Sequence, residues 1–246
     1  MQYAEYQPNR LLGQYIETYW TSSVTGGTGR PHKILPDGCV DIIFMFDRAA
    51  ETVYAKIVGT MTTALEVTYP QTIQFFGIRF KPAGITAFTR VPVHEFTDRD
   101  VELSLVNTLF DKSFGETLTE KQTPEEFIAH TDNYLINKMS GLYRYDRQII
   151  SAVELIDAAK GRLSPAQVAS DVCLCPRHFE RRFKSAIGIS PKTFSNILRF
   201  RHSLKYLQNY PRMDLLSAAV ACGYYDHTHL IKDFRTFSGE TPTALR

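Results

Sequence analysis

The stretch CPRHFERRFKSAIGISP (175–191) gathers four Arg or Lys residues on what its spacing predicts to be one short helix. Phe179, Phe183, Ala186 and Ile187 recur at i, i+4, i+7 and i+8, the pattern of an inward face. At ~100° per residue, Arg177, Arg181 and Lys184 fall on the opposite face, with Glu180 at its edge. The stretch has a second copy in HTHLIKDFRTFSGETP (227–242). Phe179 matches Leu230, Phe183 matches Phe234, Gly188 matches Gly239 and Pro191 matches Pro242, each pair 51 residues apart. The segments just before also match, VASDVC (168–173) against AAVACG (218–223), so the repeated unit is helix, turn, helix, Gly, Pro.

Each unit has the pattern of a helix-turn-helix. In the first, Ser164 is placed to cap and Pro165 to occupy the first helical position of SPAQVASDV (164–172), whose Ala166 and Ala169 allow a close crossing. In the second, Leu230, Phe234 and Phe237 face inward, while Thr228, Lys232 and Arg235 stand where Arg177, Arg181 and Lys184 do. Between them PKTFSNILRFRHSLKYLQN (191–209) carries one apolar stripe through Phe194, Ile197, Leu198, Leu204 and Leu207. It predicts a single helix of about 28 Å. A connector of that length can hold two helices about one DNA turn, ~34 Å, apart. A cationic helix face suits the major groove, where Arg and Lys reach guanine and Glu180 can accept from cytosine. The helix N-termini around Ser190, Lys192 and Thr241 are candidate phosphate contacts, although Glu240 would oppose a phosphate.

The charge distribution points the same way. Residues 145–246 hold 15 Lys and Arg against nine Asp and Glu, leaving 13 against 17 in residues 1–144. A basic half joined to an acidic half implies a polyanionic partner for one half. No apolar run has the length of a membrane span, and MQYAEYQPNR lacks the regions of a secretory leader, so a cytoplasmic protein without membrane association is expected. The four cysteines, Cys39, Cys173, Cys175 and Cys222, are too few for a disulfide scaffold. Cys173 and Cys175, with His178 nearby, are read as small residues of a packed helix turn and not as metal ligands.

The motifs LSPAQVASDVCLCPRHFERRFKSAIGISPKTF and CGYYDHTHLIKDFRTFSGETPTALR resemble the DNA-binding domain of AraC/XylS family transcriptional regulators, over about 100 residues from RQIISAVELIDAAKG (147–161) to the C-terminus. The resemblance implies two helix-turn-helix subdomains joined by a long helix, with base readers at Arg177, Glu180 and Arg181, then His227, Thr228 and Lys232. Cys173 stands where that family has Gly at the first turn, a departure that costs about 1 kcal/mol at a positive-φ site. ILPDGCVDIIF (34–44), GIRFKPAGITAF (77–88) and VPVHEFTD (91–98) resemble the sensor-type domain of an uncharacterised subgroup, DUF6597. The paired His and Glu of an arabinose-type metal cupin are not visible.

The first half reads as α+β. PNRLLGQYIETYW (8–20) has helical spacing, and TGGTGRP (25–31) reads as a loop. CVDIIFMF (39–46), TVYAKIVGTM (52–61) and TIQFFGIRF (72–80) read as strands, KPAGITAF (81–88) as the opening of a helix, and TPEEFIAHTDNYLINKM (123–139) as a helix. From about residue 100 the strand signal vanishes, and LYRYD (142–146) marks the boundary. The expected fold is an α+β N-terminal domain, mainly antiparallel sheet with helices, over 1–140. An all-α C-terminal domain follows over 145–246, with helix-turn-helix units at 164–188 and 214–239 and the linker helix at 191–209. His32, Asp37, Cys39 and Asp41 lie close in sequence, but nothing there fixes a nucleophilic or metal geometry. Arg79, alone among apolar neighbours, is a candidate anion ligand or a partner of Asp41, and with Trp20 these residues form a candidate ligand pocket. The expectation is therefore a sequence-specific regulator, commonly an activator in that family. It would have double-stranded DNA and RNA polymerase as partners, a small-molecule effector and a homodimer as further candidates, and no catalytic residues, metal or cofactor. The alternative is a thiol- or metal-based sensor or enzyme carrying a DNA-binding tail, acting through Cys39 or Cys173.

Overall fold

Alternation in VDIIFMFD sets the architecture of the first half. Val40, Ile42, Phe44 and Phe46 are buried on one face, while Asp41, Ile43, Met45 and Asp47 are half-buried on the other. The computed structural model describes residues 2–24, 31–47, 52–68, 73–106, 110–143 and 146–246. Strands β1 (Gln2–Tyr6), β2 (Ile16–Val24), β4 (Val40–Asp47), β5 (Thr52–Val58), β7 (Ile73–Phe80) and β8 (Asp100–Glu102) form one antiparallel sheet in the order β1-β2-β7-β4-β5-β8. Strands β3 (His32–Ile34) and β6 (Leu65–Val67) make a separate pair.

The inner face of the sheet is aromatic and closed by two helices. Helix α1 (Lys112–Thr119) is capped by Asp111, which accepts from Phe114 N. Helix α2 (Pro124–Asn137) opens with a reciprocal capping box between Thr123 and Glu126. Phe114 packs 5.4 Å from Phe44, and Phe127 packs 5.0 Å from Phe46 and 5.3 Å from Phe76. Each such fully buried ring contributes roughly 1.5–3 kcal/mol relative to exposure.

Three expectations for this half need correction. Residues 8–20 are not a helix: the chain turns at Asn9–Tyr15 and enters β2 at Ile16, because Ile16–Val24 alternate and find ladder partners on both β1 and β7. KPAGITAF forms only a 3-10 turn at Gly84–Ala87, entered through Ala83 in the left-handed region at φ 66°. Strand β8 extends the sheet past residue 100. The loop expected at 25–31 lies outside the described residues over 25–30, as do residues 144 and 145 of the expected boundary.

The second half is helical. Helices α3 (Arg147–Ala158), α4 (Pro165–Asp171), α5 (Pro176–Ile187), α6 (Pro191–Asn209), α7 (Leu215–Ala221) and α8 (His227–Ser238) follow in order. A second apolar cluster, including Ile149, Ile156, Phe179, Phe183, Phe194, Phe200, Phe234 and Phe237, holds them together. Aromatic contacts chain the units through α6: Phe183 lies 5.5 Å from Phe194, and Phe200 lies 4.9 Å from Phe234.

Candidate nucleic-acid interface

The local sequence builds the two units alike except at the start of the second helix, where α5 opens on Pro176 without a side-chain cap and α8 is capped by Asp226. Ser164 caps α4, accepting from Gln167 N while Gln167 Oε1 accepts from Ser164 N. Asp214 caps α7 and Asp226 caps α8, accepting from Ser217 N and His229 N at 2.9 Å each. Between α4 and α5 the chain turns through Cys173 at φ 54°; between α7 and α8 it turns through Gly223 at φ 80°. Gly188 and Gly239 end α5 and α8 in the left-handed region, and their N–H groups donate to the Lys184 and Arg235 carbonyls.

Phe179, Phe183, Ala186 and Ile187 are buried on α5, and Leu230, Phe234 and Phe237 on α8. On the outer faces Arg177, Glu180, Arg181 and Lys184 are exposed, as are His227, Thr228, Lys232 and Arg235. His178 and His229 are also exposed within the first turns. The fourth cation of the first stretch, Arg182, points elsewhere. Its guanidinium grips Asp146 at 2.9 and 2.5 Å and Gln148 at 2.8 Å, fixing α5 to α3. Ser190 caps α6, accepting from Thr193 N at 3.1 Å, and Lys192 beside it is exposed. Thr241 is half-buried after α8, and its neighbour Glu240 is ion-paired to Lys33 from the first half. On α6, Arg199 reaches Asp233 of α8 at 3.2 Å and lies 4.5 Å over the Tyr224 ring, tying the second unit to the linker.

Residues 4–102 match a family described as a domain of unknown function (DUF6597), and residues 168–246 match one described as a helix-turn-helix domain. The C-terminal region is a helix-turn-helix domain of the AraC type. Similar solved structures include a transcriptional regulator with an AraC-type DNA-binding domain from Chromobacterium violaceum, 27% identical over 41% of this chain and 89% of that one, with a TM-score of 0.38. ToxT from Vibrio cholerae is 9% identical over 92% of this chain and 97% of its own, with a TM-score of 0.46. The C-terminal domain of AraT from Geobacillus stearothermophilus is 20% identical over 42% and 87%, with a TM-score of 0.39. No curated protein matches the chain. Ahead of the AraC-type domain the fold is mostly antiparallel sheet, and no helix among the described residues is long and apolar enough to cross a membrane.

The outer face of that sheet brings Trp20, Asp41 and Arg79 together. Gly77 leaves room for the Trp20 indole to lie across it, and a Cβ there would overlap the ring. Trp20 Nε1 thereby donates to Asp41 at 2.7 Å. Arg79 Nε lies 3.3 Å from Asp41 and 3.7 Å from Asp37. Burial raises the Asp41 carboxyl to about 6, against the opposing pull of Arg79. Burial also works against the Arg79 charge, but Asp41 and Asp37 outweigh it and hold the guanidinium more firmly protonated.

The cysteines fall in two environments. Cys39 sits between Asp37 and Asp41, and burial followed by those two carboxylates pushes its thiol well up, the opposite of a reactive thiolate. Cys222 is buried, whereas Cys173 and Cys175 are exposed, correcting the expectation of a packed turn. In the turn between α4 and α5 the two cysteines face outward, while Leu174 between them packs against the helical core. Among the described residues no group of three or more Cys, His, Asp and Glu side chains could hold a metal ion.

The halves also meet through contacts that the sequence did not announce. Thr60 Oγ1 donates to Ile187 O at 2.6 Å, and Thr97 Oγ1 donates to Gly188 O at 2.8 Å, so the first half caps the C-terminus of α5. Phe194 of α6 packs on Gly38, and Lys33 holds Glu240 just past α8. These pairs join residues about 90 to 210 positions apart, beyond the reach of any periodicity.

Proposed function

We propose that this chain is a sequence-specific DNA-binding transcriptional regulator that activates transcription and reads two successive major grooves on one face of the duplex. The observation that carries the reading is the pair of exposed cationic faces on α5 and α8, set in the same local frame and joined by the single helix α6. Arg177, Glu180, Arg181 and Lys184 read one groove, and His227, Thr228, Lys232 and Arg235 the next. Ser190, Lys192 and Thr241 lie at phosphates, and the Lys33–Glu240 pair offsets the acid beside Thr241. Residues 1–140 act as the sensor and dimerisation domain, residues 145–246 as the DNA-binding domain. A small effector bound by the first domain sets the activity of the second, which engages RNA polymerase. Burial and the flanking Asp37 and Asp41 push the half-buried Cys39 thiol up, which disfavours the thiol-sensor alternative at that position.

The test is binding of the full chain to duplexes enriched from a random library, against unselected duplex, across a salt series. Selective binding with a steep loss of affinity as salt rises supports the reading. Equal affinity for selected and unselected duplex refutes sequence-specific recognition.

A further inference from the structure

A cleft of about 910 Å³ opens between the outer face of the sheet and helices α3 and α6. That volume lies in the range of small-molecule sites. The aromatic inner face of the sheet is packed by α1 and α2, and the cleft lies on the opposite, outer side.

Its lining is charged in both signs, with four cationic and five anionic side chains. Arg79 is the fixed cation on the sheet side. Asp41 and Asp37 approach it through Nε, and among the described residues neither of its Nη groups makes a hydrogen bond. The Nη1–Nη2 edge is one that can take a carboxylate in a two-point grip. On α3, Glu154 and Asp157 lie three residues apart on one helix face, both exposed and both lining the cleft. Among the described residues neither has an ion-pair partner. A simple anion would satisfy Arg79 and leave the α3 carboxylates facing it; a simple cation would do the reverse.

We infer that the cleft binds a small amphoteric molecule of the amino-acid class, its carboxylate on Arg79 and its ammonium group against Glu154 and Asp157. Such a molecule bridges β7 to α3. Helix α3 in turn holds α5 through the grip of Arg182 on Asp146 and Gln148. The bound molecule therefore couples the sheet to the first recognition helix. This coupling rests on the proposed ligand control of DNA binding; the site itself does not.

The test is thermal melting of the full chain with a mixture of the twenty common L-amino acids, with propionate and propylamine as single-charge controls. The mixture is expected to raise the midpoint by about 5 °C or more once a component reaches hundredfold saturation, and the controls to leave it unchanged. Arg79→Gln is expected to abolish the rise. Because that change also removes the cation facing Asp41 and Asp37, the double variant Glu154→Gln/Asp157→Asn, on an exposed helix face, serves as the second probe and is also expected to lose the rise. An equal rise with propionate alone, no rise with the mixture at any concentration, or a full rise in the double variant would overturn the site. A rise with the mixture but no change in DNA affinity upholds the site and overturns its role in regulation. A chain that binds no DNA selectively refutes the regulator reading while the melting result still decides the site.

Discussion

Cys173 occupies the left-handed turn that Gly223 occupies in the second unit, and a side chain at φ 54° carries strain that glycine does not. Cys173→Gly is expected to stabilise the protein by about 1 kcal/mol, read as a raised denaturation midpoint; an unchanged or lowered midpoint would contradict a strained turn. Arg181→Ala should cost about 1–3 kcal/mol on the preferred duplex and relax specificity there, whereas Lys192→Ala should weaken all duplexes alike and lower the salt slope by about one. Equal losses on preferred and random DNA for Arg181→Ala would remove it from the base readers. Asp41 gives a pH signature. Its folded carboxyl sits at about 6, above the ~3.9 of an unfolded Asp. Its contribution to stability is therefore full below about pH 4 and lost as pH rises to about 6. Denaturation of the native chain and of Asp41→Asn across that window should show the native chain losing stability relative to the variant as pH rises; a relative gain would reverse the assignment. The outward residues of α5 and α8 were legible in the sequence because a helix face follows from spacing alone. The pairing of Arg79 with Asp41 was legible as one of two alternatives, since only the register of β4 against β7 sets those residues side by side.

Among the elements, α5 is held from three sides: its own buried face, the cap from Thr60 and Thr97, and the grip of Arg182 on α3. Arg182 and Asp146 are 26% and 30% exposed, so solvent screens part of that grip. Arg182→Ala is expected to lower stability by about 1–2 kcal/mol and to weaken DNA binding through a displaced α5 without changing base preference. Altered preference in a binding-site selection would instead place Arg182 at the DNA. The helices of the second half could be read from sequence because caps, Pro at the first turn and Gly at the last are local signals. Helix and strand competed at residues 8–20: Leu11, Leu12, Tyr15, Ile16 and Tyr19 fit a helical face. The same stretch runs into alternating Ile16–Val24, and the ladder partners that select the strand are either N-terminal to it or more than 50 residues further on. The short strands β3, β6 and β8, of three residues each, carry too little pattern to announce themselves.

At the scale of the whole molecule, an acidic sheet domain is fastened to the basic helical one at both recognition units. Thr60 and Thr97 hold the end of α5, Lys33 holds Glu240 beyond α8, and Gly38 receives Phe194 of the linker helix. The division into an acidic and a basic half was visible in the residue counts, but the fastenings were not, since each joins side chains distant along the chain. They matter because the spacing of α5 and α8 sets which duplex the chain accepts. The central claim is that one chain reads two grooves one helical turn apart. The most direct measurement is the affinity of the full chain for its selected duplex, compared with the same duplex carrying an insertion of half a turn, about 5 base pairs, between the two read segments. The account predicts that the insertion rotates the second groove away from α8 and reduces selective binding to that of a single unit. Unchanged affinity on the interrupted duplex would contradict it.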